Sequence, residues 1–370
     1  PVHFNNCKVG TVTATPALSV SDRGTELWGS CSANLEGRPN NVIYVDGVQY
    51  VYKTASQKAL EAAIAEGGEV ELTEDVTLTT ALNIDNDVTI DLNGYDLDIA
   101  VAYDDNNPYA SSAIVNNGTL TLTGNGKIKA INNYTVRNYG TMTIDGVTIE
   151  NGIMNFNDLT VEDGNISNSR SGKHTIYGNN AKLTINGGTF YNGNPGNAAI
   201  FAYAGEVEIN GGEFSIADGT STLGWTSCLL DAQGNAKFTI NGGVINGEIR
   251  DYNKNTTVYG GVFTHASVKN FVAEGYSTIE DNGVWTVVAA ANDAATLATA
   301  ISKGGMIALT GDITTSEAIE IPEGVTTTID LNGKTITVTE TDAIVAKAGA
   351  NLTIAGNGKV TSHSAPIRAI

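Results

Sequence analysis

One phrase recurs down this chain and leaves few folds open to it. It consists of two apolar residues alternating with a polar one, then Asn, a glycine pair and another apolar strand. It reads Leu183-Thr184-Ile185-Asn186-Gly187-Gly188-Thr189-Phe190, Val207-Glu208-Ile209-Asn210-Gly211-Gly212-Glu213-Phe214 and Phe238-Thr239-Ile240-Asn241-Gly242-Gly243-Val244-Ile245. Thr257-Val258-Tyr259-Gly260-Gly261-Val262-Phe263 repeats it with Tyr in place of Asn. Looser copies lie upstream at Thr121–Ile128, Thr143–Ile149 and Thr160–Ile166. The apolar residue before each turn falls at 122, 144, 161, 185, 209, 240 and 258, giving intervals of 22, 17, 24, 24, 31 and 18. Within each copy the apolar side chains alternate, the period of a strand with one buried face. Asn-Gly and Gly-Gly supply the positive φ of tight corners. Short strands, tight corners and a repeat of this length together predict a solenoid. Each coil pairs in parallel with the next about 4.8 Å away, and the uneven intervals are absorbed at the corners. Asn at equivalent corners of successive coils is placed to stack as a hydrogen-bonded ladder.

A larger repeat encloses the smaller one. Leu60–Gly68 matches Leu297–Gly305, Thr89-Ile90-Asp91-Leu92-Asn93-Gly94 matches Thr328-Ile329-Asp330-Leu331-Asn332-Gly333, and Leu120–Lys127 matches Leu352–Lys359. The offset changes from 237 to 239 to 232, so only loop lengths differ. Each copy opens with an Ala-rich segment of helical periodicity that ends at Gly-Gly, 55–66 and 293–303. These segments read as short helices with glycine C-caps, lids over the open end of a solenoid. The domain reading is a docking segment at 1–53 with a hairpin turning at Asp46-Gly47, a first β-helix at 54–288, and the start of a second at 289–370. The first body is expected to close on two aromatic-rich strands, 271–276 and 283–288. The second is expected to continue past residue 370.

The corner phrase, the Ile-Asp-Leu-Asn-Gly phrase at 90–94 and 329–333, and the lid helices resemble pectin-lyase-like right-handed parallel β-helices, over residues 54–370. The resemblance implies an all-β fold of two tandem right-handed solenoids, each opened by a capping helix, after a small N-terminal β segment. The combination of lid, Asp-Leu-Asn-Gly coil and closing aromatic strands looks most like repeats in structural proteins of phages of gut bacteria, the head fibres and tail fibres. That likeness implies a virion location and a trimer, with residues 1–53 gripping other capsid or tail proteins. Similar repeats in bacterial surface proteins imply a second reading, a glycan-binding adhesin. A tailspike-like polysaccharide depolymerase is the third.

Acidic residues outnumber basic ones 40 to 20 and the net charge is −20, a surface that repels nucleic acid and anionic headgroups. No apolar run reaches the roughly 18 residues of a membrane span. Pro1–Cys7 shows no signal-like pattern, which a processed secreted chain would share. Cys7, Cys31 and Cys228 form an odd set without CxxC spacing and read as buried thiols, with a Cys7–Cys31 pairing left open. Arg and His stand outside any recognisable motif of the β-helical lyases or galacturonan hydrolases, so no catalytic, metal or cofactor residues are assigned.

Ligand contact is assigned instead to two groups. Tyr103-Asp104-Asp105 with Tyr109 forms an insertion absent from the second copy, where two rings flank a carboxylate pair. Adjacent carboxylates seldom span a glycosidic bond as hydrolysis requires, so this loop is read for binding, not chemistry. Tyr191, Phe201, Tyr203 and Trp225 read as aromatics of inserted loops, a platform for sugar C–H faces if they share a side. His174 reads as a lone surface histidine. Asp91, Glu162-Asp163 and Glu280-Asp281 read as corner residues, and the glycines as structural instead of calcium-binding.

Overall fold

A computed structural model describes residues 8–9, 32–33, 42–45, 48–51, 55–101, 112–130, 134–217 and 227–370, with side chains described from 56 onward. The chain divides into two compact units, Pro1–Glu150 and Asn151–Ile370. Each is built from coils of parallel strands, and the fold is an all-β parallel β-helix with two α-helices among the described residues.

In the first unit a coil has three faces. A long-strand sheet stacks Gly68–Glu71, Asp87–Asp91, Thr119–Thr123 and Thr141–Asp145. A middle sheet stacks Val76–Leu78, Leu97–Ile99, Lys127–Ala130 and Val147–Glu150. A short-strand sheet stacks Leu82–Ile84, Ile114–Asn116 and Val136–Asn138. Alternate side chains point inward, and Ile90, Leu97, Ile114, Leu120, Leu122 and Ile128 are fully buried. The predicted hairpin is present as two antiparallel strands, Val42–Val45 and Val48–Val51, with Val45 opposite Val48.

Helix α1, Ala55–Glu66, ends at Gly67 (φ 81°) and Gly68 (φ 114°). Leu60 is completely buried, so the helix lays its apolar side on the coil end as expected of a lid. Its last carbonyls, those of Ile64 and Ala65, would lack partners at a helix terminus. Both accept from Asn86 Nδ2 at 3.1 Å.

The Asp-Leu-Asn-Gly corner ties three coils at once. Asn93 sits at φ 48°. Its N–H donates to Asp91 Oδ1 at 2.8 Å, while its amide donates to Leu72 O of the coil before at 3.3 Å. Leu92 N–H donates to Thr123 O of the coil after at 2.9 Å. A Cβ at Gly124 would fall on Asp91 Oδ1, which is why Gly-Asn-Gly follows this corner one coil later. Asp330, Asn332 (φ 45°), Leu309 and Gly356 repeat the arrangement in the second unit.

The second unit also has three faces. The short-strand sheet stacks Ile153–Asn155, Ile176–Gly178, Ile200–Ala202, Leu230–Ala232 and Ile249–Asp251. The long-strand sheet stacks Asp158–Val161, Ala181–Ile185, Gly205–Ile209, Lys237–Ile240 and Thr257–Val258. Its pairs Val161↔Ile185, Ile185↔Ile209, Ile209↔Ile240 and Ile240↔Val258 reproduce the sequence intervals of 24, 24, 31 and 18. The middle sheet stacks Gly164–Asn168, Thr189–Asn192, Glu213–Ile216, Val244–Asn246 and Gly261–Phe263. Inside it Phe190 and Phe214 stack at 4.7 Å, a contact worth about 0.5–1.5 kcal/mol beyond burial.

The two glycines of each Asn-Gly-Gly corner have different reasons. The second, as at Gly188, holds φ 91°. The first does not need positive φ, but a Cβ at Gly187 would approach Glu162 O of the preceding coil to 2.7 Å. The expected ladder is present: Asn241 Nδ2 donates to Asn210 Oδ1 at 2.7 Å and Asn210 Nδ2 to Asn186 Oδ1 at 2.9 Å. Asn186 Nδ2 then donates to Glu162 Oε2 at 2.8 Å.

The expected closure at 271–288 is corrected. A short 3₁₀ turn, Ala266–Asn270, leads to a hairpin of Tyr276–Asp281 and Val284–Ala291 around Asn282 (φ 51°) and Gly283 (φ 82°). The second hairpin strand runs antiparallel to Gly261–Phe263, then parallel to Gly305–Leu309. One strand therefore belongs to both solenoids and reverses the polarity between them. It splices where the sequence suggested an end, because its length lets its first half pair with one body and its second half with the other.

Helix α2, Ala294–Lys303, follows the splice. Asp293 caps it, accepting from Thr296 N–H at 2.8 Å, while the Thr296 hydroxyl returns to the Asp293 backbone N–H at 3.2 Å. Leu297 and Ile301 bury against Ile307, Ile319 and Ile329 of the second coil set. That set stacks Gly305–Leu309, Thr326–Asp330 and Asn351–Ala355 on its long-strand face. Ile313–Thr315, Thr335–Val338 and Lys359–Ser362 form the middle face, and Ile319–Ile321, Ile344–Ala346 and Ile367–Ala369 the short-strand face.

Candidate functional site

The three outer faces of the second unit differ in chemistry. On the long-strand face Asp158, Lys182, Glu206 and Lys237 stand opposite one another in register, a row of alternating charge. Thr160, Thr184, Glu208 and Thr239 form the row beside it. A shallow recess between these rows is lined by their own side chains.

The short-strand face collects the chemically distinctive groups. Register places Met154, Tyr177, Phe201, Asp231 and Arg250 at the outward position of successive coils. Tyr177 and Phe201 stack at 5.3 Å with ring planes 9° apart, and Phe156 meets Tyr177 edge-on at 6.2 Å. The His174 ring stacks on Phe201 at 4.4 Å.

His174 is half-buried, not the freely exposed histidine expected. Its Nδ1 accepts the Ala198 N–H at 2.9 Å, and burial of the ring lowers its pKa to about 4. The ring is a neutral imidazole at neutral pH. The reading failed because the loop around it looks polar, while the loop folds back so that the ring closes over the aromatic row.

Further along, Arg250 approaches Asp231 at 3.8 Å and Glu248 at 3.5 Å, and Gln233 Nε2 donates to Asp231 Oδ1 at 2.6 Å. Burial opposes the Arg250 charge, but the carboxylates of Asp231 and Glu248 favour it and the pKa is raised. Burial, then the Asp231 charge, raises the Cys228 pKa, so the free, buried thiol stays protonated and is no nucleophile.

Every long connection of this unit enters the short-strand face from the same corner. Residues 169–175, 193–199 and 217–229 each join a middle strand to the next short strand. This corner tolerates insertion because the strands on either side hold register through their own ladders. Buried asparagines at the ends of the middle strands anchor these loops. Asn168 Nδ2 donates to His174 O at 2.8 Å and Asn192 Nδ2 to Ala198 O at 2.9 Å.

The assigned ligand residues divide accordingly. Tyr103, Asp104, Asp105, Tyr109 and Trp225 lie outside the described residues, as do Cys7 and Cys31. Tyr191 and Phe201 are not in inserted loops: both sit in strands, Thr189–Asn192 on the middle face and Ile200–Ala202 on the short-strand face. Tyr203 follows the latter strand and is 55% exposed. The aromatics therefore do not share one face. Alternation within a strand sets which way each points, and a sequence interrupted by loops hides that alternation. The row Tyr177, Phe201, Asp231, Arg250 escaped the sequence reading. Its signal was the recurring apolar-X-small triplet just after each insertion, as in Ile200-Phe201-Ala202. Asp91 caps its corner and Asp163 Oδ1 accepts the Gly164 N–H at 2.8 Å, both as corner residues should.

The rings of this row spend their faces on one another, and its charges neutralise each other. Such a row locks coils together and leaves Tyr203 and, beyond it, Tyr252 (77% exposed) projecting at the edge. Among the described residues no cluster of three His, Cys, Asp or Glu is placed to hold a metal ion. No described helix is long and apolar enough to cross a membrane. Comparison of the chain with family models, curated proteins and solved structures returns no match.

Proposed function

We propose that this protein is a non-enzymatic structural component of a bacteriophage virion, a head or tail fibre in which the β-helices act as rigid spacers and residues 1–53 attach to other virion proteins. The observation that carries the reading is the splice. One strand shared by two stacks of coils joins them without a flexible linker, which serves stiffness. The acidic surface keeps such a rod soluble and away from nucleic acid. The outer rows of paired charges and stacked rings serve cohesion between coils. Antibody raised to the chain should decorate virions purified from the sample that encodes it. Labelling of bacterial envelopes with bare virions overturns the proposal.

A second reading, a surface adhesin that binds glycan, is favoured by one feature. Tyr203 and Tyr252 project exposed from the corner that follows their short strands, and exposed aromatic faces suit sugar C–H surfaces. Glycan-array binding that survives Tyr191→Ala and falls with Tyr203→Ala and Tyr252→Ala would support it. A silent array, or binding indifferent to both edge tyrosines, sets it aside.

A further inference from the structure

Two of the long connections on the short-strand face of the second unit, residues 169–175 and 193–199, lie on adjacent coils and are tied to each other. Asn194 Nδ2 donates to Arg170 O at 2.9 Å, Asn192 Nδ2 to Lys173 O at 3.0 Å and Thr175 N–H to Ala198 O at 3.1 Å. None of these bonds depends on a group that titrates. One further bond does: Ala198 N–H donates to His174 Nδ1 at 2.9 Å. Thr175 and Ala198 are completely buried, so the Ala198 N–H can find water in place of the ring only if the two loops part.

The surroundings offer nothing to balance a charged ring. An Nδ1 that accepts an N–H carries no proton, and adding one would set two donors face to face. The ring stacks on Phe201 at 4.4 Å and lies 6.3 Å from Tyr177. Its own loop brings two cations, Arg170 and Lys173, and strand Ile176–Gly178 brings only the Tyr177 phenol. Loop 193–199 and strand Ile200–Ala202 bring no titratable side chain. From Gly164 to Gly205 the chain has no Asp or Glu at all, although 40 acidic residues occur along its length. Asp231, one coil beyond Phe201, is already engaged by Arg250 at 3.8 Å and by Gln233 at 2.6 Å, and Cys228 beside it is a protonated thiol.

We propose that His174 is an acid-released clasp, whose protonation parts residues 169–175 from 193–199 and lifts the ring from Phe201 while the coils beneath stay paired. Burial and, after it, the Lys173 charge hold the clasped ring at a pKa of about 4, below the ordinary 6.5 that a released ring regains. A depressed histidine contributes stability at neutral pH and loses it as pH falls from 6.5 towards 4. The ratio of open to clasped loops therefore rises about tenfold per pH unit across that window, roughly 300-fold in all. Below it both states carry the proton and the loss is complete.

The test follows amide exchange and the His174 ring signals of the full chain by NMR from about pH 7 down to about pH 3.5. Protection of the Ala198 and Thr175 amides, corrected for intrinsic exchange, should fall about 300-fold, while Leu183 and Val207 of the long-strand ladder keep theirs. His174→Phe keeps a ring on Phe201 but offers no acceptor, so Ala198 should exchange fast at every pH and without a slope. Protection that ignores pH in the native chain overturns the proposal, as does a slope that survives in His174→Phe. Parallel loss at Leu183 and Val207 overturns it too, since the coils and not the clasp would then be opening. So does a His174 ring that titrates near 6.5 in the folded chain.

Discussion

Leu122 in the first copy and Ile354 in the second occupy the same place in the same phrase, two residues before Gly-Asn-Gly. One is sealed and the other half-open. The corners beside them are alike, with Asn93 and Asn332 at φ 48° and 45° and both taking the same backbone bond to an Asp carboxylate at 2.8 Å. The difference teaches that corner geometry is written locally, in the residues of the corner, whereas burial is conferred by whichever coil comes next. A solenoid adds its core one interface at a time, so identical phrases can have unequal energies.

The sharpest way to break this comparison is a pair of core truncations. Leu122→Ala should cost about 2–5 kcal/mol, the range for a buried leucine, while Ile354→Ala should cost only about 1. Denaturant melts read by tryptophan and far-UV signals would measure both, and equal losses would sink the distinction. Next comes the glycine that lets coils nest. A Cβ at Gly126 would meet Leu92 Cβ at 2.6 Å, and one at Gly358 would meet Leu331 Cβ at 2.5 Å. Gly126→Ala is pinned by coils on both sides and should cost about 1–3 kcal/mol. Gly358→Ala should cost less, because the last coil can shift outward, and thermal melts of the two variants should separate accordingly.

The corners supply the opposite expectation, equality. Asn93→Gly and Asn332→Gly keep the left-handed backbone but lose the amide's bond to the previous coil, to Leu72 O and Leu309 O. Asn93 Nδ2 also donates to Glu71 Oε1 at 2.7 Å, so the pair is compared in a Glu71→Ala background. There each should cost about 1 kcal/mol, by the same amount within error. Unequal losses would show that the corner is not locally programmed.

The smallest effect is one of pH. The Ala365 N–H, and more weakly Arg368, hold the Asp342 carboxyl below its ordinary value of 3.8. A lowered carboxylate contributes stability above that value and loses it as pH falls through the folded-state pKa. Acidification below about pH 3.8 should therefore loosen the Ala365 amide, seen as faster exchange there relative to the first copy. Asp342→Asn should remove most of that pH dependence.

Much of the fold was legible beforehand because its determinants are short-range. Both lid helices, the hairpin around Asp46-Gly47, the coil intervals and the Asn186–Asn210–Asn241 ladder follow from residues within one coil and its repeat. The candidate site was less legible. Sequence places Tyr191 and Phe201 in loops and conceals the row from Tyr177 to Arg250, because insertions of unequal length separate residues that register brings together. His174 was misjudged for the same reason, since its neighbours in space come from the next coil.

The sequence by itself determined that this chain would coil. Alternation, Asn-Gly corners and a duplicated phrase admit little else, since each acts through backbone conformation and the burial of one strand face. Only the tertiary structure decided which outward residues share a row and that Val284–Ala291 splices two solenoids instead of ending one. Those outcomes depend on pairing between segments tens of residues apart, where hydrogen-bond register, not local preference, sets the partners.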